Sequence, residues 1–401
     1  MSGAEARDVV VVGGGPAGSA VSILLRRRGH DVLLLDEARF PRDKICGEGV
    51  SPEAWRLLDL LDARAAVRAL GPHPLRGMSL VSPRGIAFHG TYRRADDDLG
   101  FAVRRDRLDA SLLACARAAG VEVREGVKVS AVLRANAQVT GVTAEAAAGP
   151  RRIDARLVVA ADGRRSVVAR GLGLLTEHRS LRKFAVRGHW DGVHGLRESG
   201  EMHVGLGGYC GIAPLGPRSA NVAFVLDRRA MAGAGGDLEA FYRATIAARW
   251  PALHERLQRA TLVAPPRAIG PLALVARRAW APGALLVGDA AGFYDPFTGE
   301  GVTLALRSAE LAAETADGAL RSGRTADLGA YERRRREATR DKFRLNRLLQ
   351  HVVAWPALAD SVARRLARRP DLADQLVGIA GDFVPARSAL GPAFLWRLVR
   401  G

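Results

Sequence analysis

RDVVVVGGGPAGSAVSILLRRRGHDVLLLDE, residues 7–37, is the stretch whose reading decides the fold. Val9 to Val12 is a short run of β-branched residues, the pattern of a parallel strand buried on both faces. Gly13, Gly15 and Gly18 follow at once in a G-x-G-x-x-G spacing. Pro16 stands where a helix start tolerates a missing N–H, predicting a helix from Pro16 to about Arg28. Gly29 closes that helix, Val32 to Leu35 reads as the second strand, and Asp36 ends it. Gly13 permits the tight turn and Gly15 lets backbone approach a pyrophosphate. Gly18 lets helix and strand pack closely, and Asp36 can accept the ribose hydroxyls. Strand, glycines, helix, strand and acid in register predict a dinucleotide site, with Pro16 and Ala17 at the helix end that faces the phosphates.

Two distant segments repeat part of this design. LVVAADGRRSVVAR, residues 157–170, is a buried strand ending at Asp162-Gly163. GALLVGDAAGFYDPFTGEGVTLALRSAELAAE, residues 283–314, is a strand ending at Gly288-Asp289, then a loop and a long helix from about Val302. The loop carries Pro296, Gly299 and Gly301, and its amides predict an anion-favouring helix start suited to the pyrimidine end of a reduced flavin.

The triple of glycine-rich start, DG motif and GD motif resembles the p-hydroxybenzoate-hydroxylase-type flavoproteins. Within them the chain looks most like the geranylgeranyl-reductase-like branch, which is related to flavin monooxygenases and halogenases. The resemblance spans residues 7–314 and implies noncovalently bound FAD. It implies that Gly13, Gly15, Gly18 and Asp36 hold the ADP half and that Arg105, in VRRDRLDASLL, lies near the pyrophosphate. Asp162 matches the DG aspartate, which otherwise reads as a strand-end turn residue, and Asp289 matches the ribityl ligand. The chain departs from the reductases at GGYCGIAPLG, residues 207–216, where bulkier residues are expected at Gly211 and Ala213. It lacks the Trp-x-Trp-x-Ile-Pro signature of flavin halogenases, which disfavours halogenation.

KICGEGVSP, residues 44–52, resembles the Cys-Gly loop of the reductases, which in that superfamily passes near the flavin ring. Cys46 is open to three readings: pocket lining, structural thiol, or covalent nucleophile. Glu48 is read as a solvated turn residue or as a proton donor to a substrate carbon. No metal is expected, because the nine histidines form no HxxxH or HExxH pair.

The expected fold is α/β: a Rossmann-like FAD-binding domain of glutathione-reductase type, an inserted antiparallel β substrate domain, and a helical C-terminal tail. The boundaries drawn are 1–75, 98–175 and 276–325 for the first, 76–97 and 176–275 for the second, and 326–401 for the tail. In the β domain Tyr209, Cys210 and Ile212 are candidate walls of a substrate pocket.

Composition narrows the rest. The 401 residues carry a formal charge of +18, and 56 of the 60 basic residues are arginine. They are scattered, not gathered in a stripe with aromatics, so nucleic acid is not expected as a partner. The densest stretch, Arg333 to Arg369, holds twelve basic and three acidic residues. It reads as a solvated helix face or as a contact for an anionic membrane surface. Three cysteines without a CxxC fit free thiols in a cytoplasmic protein. No second glycine-rich βαβ unit is present, so NAD(P)H at the surface, or a separate flavin reductase acting as electron-donor protein, is the expected electron source. The expected activity is FAD-dependent reduction of a C=C bond in a small, largely apolar substrate of prenyl, polyketide or aromatic type. The alternatives are a monooxygenase of secondary metabolism working through a C4a-hydroperoxide, and a flavin electron-transfer or binding protein.

Overall fold

The computed structural model of the protein describes residues 5–94, 99–146, 149–177, 182–293 and 295–400. The first strand, Glu5–Val12, lies between Val32–Asp36 and the long strand Gly149–Ala160, parallel to both. Ala284–Leu286 extends the sheet beyond Gly149–Ala160, again in parallel register, and Glu122–Glu125 closes the other side. The three strands that carry the glycine and acid motifs are therefore immediate neighbours, and their motif-bearing ends point the same way. Side chains from both faces of these strands are buried, as the unbroken Val9–Val12 and Leu33–Leu35 runs require.

Helix Pro16–Arg27 packs on this sheet, flanked by helices Arg105–Ala118 and Gly301–Ser322. Ala305, Ala309, Ala312, Ala313 and Ala316 form the inner face of the last of these. Small residues there let the helix lie close against its neighbours. It begins at Gly301, one residue before the position expected from sequence.

The second sheet is mostly antiparallel. Its order runs from Thr261–Leu262 through Lys183–Asp191, Ala220–Asp227, Gly208–Pro214 and Gly200–Gly205 to Gly77–Val81 and Ala87–Thr91. Gly77–Val81 pairs parallel with Gly200–Gly205, so a segment from early in the chain completes a sheet formed mainly by its middle. Period-two alternation divides Gly208–Pro214 between two cores. Cys210 and Ile212 face Trp190, Phe224, Tyr242 and Trp250 under helices Leu238–Arg249 and Pro251–Leu257. Tyr209 faces the opposite way, toward Met202, Leu272 and Phe297.

The tail is a set of helices, Gly329–Ala354, Pro356–Arg368, Pro370–Ala380 and Pro392–Arg400 among them. Pro356 and Pro370 each take the first position of a new helix, where the missing N–H costs little. The tail packs on Phe88 and Leu80 at the edge of the second sheet.

Tyr242 pins the second core. Its hydroxyl donates to the Val222 carbonyl at 2.8 Å and accepts from the Trp190 indole at 3.0 Å. Gly188 leaves the room, since a Cβ there would stand 3.0 Å from the Tyr242 oxygen. Tyr242→Phe leaves a buried indole N–H without its acceptor and is expected to cost about 1–3 kcal/mol, measured by urea unfolding.

Candidate active site

The three strand ends meet through glycine. A Cβ on Gly13 would stand 2.5 Å from the Ala161 carbonyl oxygen, and Gly13 has φ +102°. A Cβ on Gly18 would lie 1.8 Å from the Gly13 oxygen, so no other residue fits between helix and strand. Gly288, with φ +56°, would place a Cβ 2.9 Å from the Ala17 methyl. Those contacts bring the Asp162-Gly163 and Gly288-Asp289 turns against the first helix start. Gly15 differs from these: a Cβ there would meet only the Arg42 guanidinium, at 3.6 Å. Its bare backbone faces the cleft and fits the close approach of a phosphate. Pro16 and Ala17 are buried in the first helical turn.

Four carboxylates mark this cleft. Asp36 Oδ2 accepts from the Gly14 amide at 2.6 Å and Oδ1 from the Ala38 amide at 2.8 Å. A carboxylate has about four acceptor sites, so each oxygen keeps capacity for a ribose hydroxyl. Asp162 Oδ2 accepts from the Val167 amide at 2.7 Å, while its buried Oδ1 has no partner among the described residues. Burial pushes the Asp162 carboxyl above its usual range, against hydrogen bonds from Ser166 and from the Val167 and Val168 amides. Asp289 is half-buried, and Asp109 lies fully buried behind Arg105.

Cations surround them. The loop after the second strand crosses the cleft, with Arg42 over Gly15 and the Lys44 ammonium 3.5 Å from where a Gly163 Cβ would lie. Burial pulls the Lys44 ammonium below the usual lysine range, against attraction from Asp289, and Arg105, Arg42 and Arg164 push it further down. Lys44 has no ion-pair partner at contact distance among the described residues. Arg164 is buried and donates to the Pro271 carbonyl. Arg105 turns Nε and Nη2 onto Asp109, at 2.8 Å each. Arg42 reaches the same Asp109 at 3.1 Å. Arg42, not singled out from sequence, stands over Gly15, and Arg105, expected near the pyrophosphate, braces it through the shared Asp109.

Glu48 is neither the solvated turn residue nor the poised proton donor expected. It is 1% exposed with φ +62°. Its Oε2 accepts from His189 Nε2 at 2.7 Å and from Asn221 Nδ2 at 2.9 Å, and its Oε1 accepts from the Arg105 amide at 3.0 Å. His189 and Asn221 lie 141 and 173 residues away, in the second sheet. Glu48 therefore ties the Cys46 loop to the roof and has little freedom to reach a substrate. Cys46 is half-buried; its sulfur accepts from the Glu48 amide at 3.4 Å and its carbonyl from Asn221 at 2.8 Å.

The Pro296 loop forms the far wall. Gly299 donates to the Pro296 carbonyl at 2.9 Å, closing a turn, and nothing lies within 4 Å of a Cβ on Gly299 or Gly301. Asp295 fastens this loop to both neighbours. It accepts from the Tyr209 hydroxyl at 2.5 Å, from Gln350 at 2.9 Å and from the Lys183 ammonium at 2.9 Å. Behind the loop lies an apolar cavity of about 50 Å³ lined by Met78, Leu80, Met202, Phe297, Leu345 and Leu349, with Glu300 and Lys342 in its wall. Tyr209 stands beside it, packed edge-on against Phe297. Cys210 and Ile212 do not line it; strand alternation turns them into the opposite core, which corrects that expectation. A second hollow, of about 280 Å³, has a mixed lining, with Leu70, Val103 and Trp190 beside Arg104, Arg107 and His189.

Glu300 is a site residue that sequence reading missed. Lys342 stands 3.1 Å from it and 2.7 Å from Asp382. Burial pushes the Glu300 carboxyl up to about 7, against the pull of Lys342 and with a further push from Asp382. Burial pulls Lys342 down, yet Glu300 and Asp382 outweigh it and the net shift is upward.

A glycine cradle, an orphaned buried acceptor at Asp162 and an unpaired lysine together fit a molecule with ribose hydroxyls and a pyrophosphate. The FAD binding domain family matches residues 6–344. The chain belongs to that family. It is a p-hydroxybenzoate-hydroxylase-type flavoprotein of the geranylgeranyl-reductase-like kind and an FAD-dependent oxidoreductase. It is 29% identical over 97% of its length, and 95% of the relative's, to menaquinone reductase of Mycolicibacterium smegmatis. It is 31% identical to digeranylgeranylglycerophospholipid reductase of Methanothrix thermoacetophila, over 82% of this chain and 83% of that one. The myxobacterial chondrochloren halogenase CndH superposes with a TM-score of 0.78 at 28% identity, over 83% of this chain and 79% of that one.

Gly15→Val is expected to leave thermal unfolding of the FAD-free flavoprotein nearly unchanged, because only a flexible arginine tip opposes the new side chain. FAD affinity should fall at least tenfold, measured by fluorescence titration.

Proposed function

We propose that this flavoprotein saturates a carbon–carbon double bond in the prenyl-type portion of an apolar substrate. When bound, reduced FAD supplies the hydride. Gly13, Gly15, Gly18, Asp36 and Arg42 would hold its ADP half. Lys44, Asp162, Asp289 and the Pro296–Gly301 loop would hold the remainder. The reductases named above support the substrate class, one acting on a menaquinone and one on a geranylgeranylated phospholipid.

The observation that carries the reading is the apolar cavity sharing the Phe297–Glu300 wall with the flavin-side loop. At about 50 Å³ it has room for only a few waters, at roughly 10–15 Å³ of such volume each. Admitting a hydrocarbon chain therefore requires the flanking tail helices to part. Glu300 is the proton source this wall offers. A carboxyl titrating near neutrality is matched to general-acid work at physiological pH. Asp382 stands nearer to Lys342 than Glu300 does and shares its charge, which leaves Glu300 able to give up and regain its proton. Tyr209 and Asp295 would hold the loop in place. Electrons would come from NAD(P)H bound transiently or from a separate flavin reductase.

Anaerobic incubation of the reduced holoenzyme with a prenylated quinone, read by mass spectrometry, is expected to give a product two hydrogen atoms heavier. A product that instead gains an oxygen atom, and only in air, would establish the monooxygenase reading. Because the acid must carry its proton, turnover should fall as pH rises through about 7. Glu300→Gln should slow the reaction about 100-fold or more and remove that limb of the pH profile.

A further inference from the structure

We infer that the corner between helices Gly329–Ala354 and Pro356–Arg368 is a docking surface for an anionic lipid bilayer. Among the described residues eight large apolar side chains are exposed, and five of them lie in the C-terminal helices. Leu348, Trp355 and Leu358 are 41%, 69% and 46% exposed, and Leu395 and Trp396 are the other two. Helical spacing sets Arg344, Leu348, His351 and Trp355 on one stripe, with Arg347 beside it and Leu358 one turn beyond the corner. All of these are exposed. The terminal helix is fastened to the same region, since Arg365 and Arg369 donate to the carbonyls of Leu398 and Arg397. Arg347, Arg364 and Arg368 are exposed and have no ion-pair partner among the described residues.

Arginine interspersed with Trp and Leu on one helix face is the composition that binds at the headgroup boundary. A second copy of this chain fits poorly, since a symmetric contact would set like charges against one another. The adjacent face of helix Gly329–Ala354, about 100° round from the stripe, supplies Leu345 and Leu349 to the apolar cavity. One helix thus separates the exposed stripe from the cavity, and docking at a bilayer would bring a membrane-dissolved substrate to that wall. This last step deepens the reaction proposed above, whereas the docking itself is measured without turnover. Among the described residues no helix is long and apolar enough to cross a membrane, so the contact would be peripheral.

The test is co-sedimentation of the holoenzyme with phosphatidylcholine vesicles containing about one-third phosphatidylglycerol. The expected result is binding that weakens with salt and with pure phosphatidylcholine. It should fall at least tenfold in the Trp355→Glu, Leu358→Glu double variant, but not in Leu206→Glu, which alters an exposed leucine elsewhere. Brominated-lipid quenching gives a readout that tolerates a damaged variant: vesicles should quench the wild-type tryptophan fluorescence, and the conservative Trp355→Phe should remove most of that quenching. Absence of wild-type binding to the anionic vesicles, or unchanged binding by the double variant, would overturn the inference. So would light scattering that shows a wild-type dimer and a monomeric double variant, which would make the corner a self-interface. Prenyl reduction without vesicle binding would sink the docking alone, and binding without reduction would sink the reaction alone.

Discussion

Three parallel strands end side by side, and at each end the backbone must approach a neighbour more closely than a Cβ permits. Gly13 against Ala161, Gly18 against Gly13 and Gly288 against Ala17 meet this demand. Everything else about the site follows from it. The acids at the strand ends are gathered into one cleft, the first helix start is laid open at Gly15, and the loop from residue 40 to 48 is drawn across the top. A cluster of Arg42, Lys44, Arg105 and Arg164 is then confined beside these acids, and Lys44 is held below the usual lysine range, by burial first and then by repulsion from its cationic neighbours. A bound pyrophosphate relieves that repulsion, so the cluster is an argument for an anion as well as a description of a loop.

The second sheet acts on the first through a few long-range polar ties. Glu48 joins the Cys46 loop to His189 and Asn221, and Asp295 joins the Pro296 loop to Tyr209, Lys183 and Gln350. Both hubs are carboxylates sunk in the interior with several donors each, the arrangement in which burying a charge is tolerable. They fix the two loops that flank the cleft relative to the roof. The tail helices close the remaining side through Glu300, Lys342 and Asp382. An apolar cavity with one protonatable acid in its wall results from five stretches that are far apart in the chain.

Much of the first sheet was legible from sequence because its signals are local. Val9–Val12, the glycine spacing and the acid at the end of each strand lie within a few residues of one another, and each has a steric or electrostatic reason. What escaped was whatever depends on partners from other elements. Glu48 looks like a solvated acid among glycines until His189 and Asn221 arrive from 140 or more residues away. Tyr209, Cys210 and Ile212 are all expected on one pocket wall, yet strand alternation turns Tyr209 one way and Cys210 and Ile212 the other, into the opposite core. Arg42 and Lys44 lay inside the quoted loop, yet nothing in their spacing told them from surface cations. Glu300 sat inside a recognised motif, and its perturbation becomes visible only once Lys342 and Asp382 close over it.

The central claim is that the three strand ends clasp both halves of one dinucleotide. Titrating flavin-stripped protein with FAD and with FMN, in parallel and by fluorescence, addresses it most directly. The account predicts one FAD per chain and at least 100-fold weaker binding of FMN, because the Gly15 and Asp36 end recognises the ADP half. Equal affinities, or no uptake of either flavin, would contradict it.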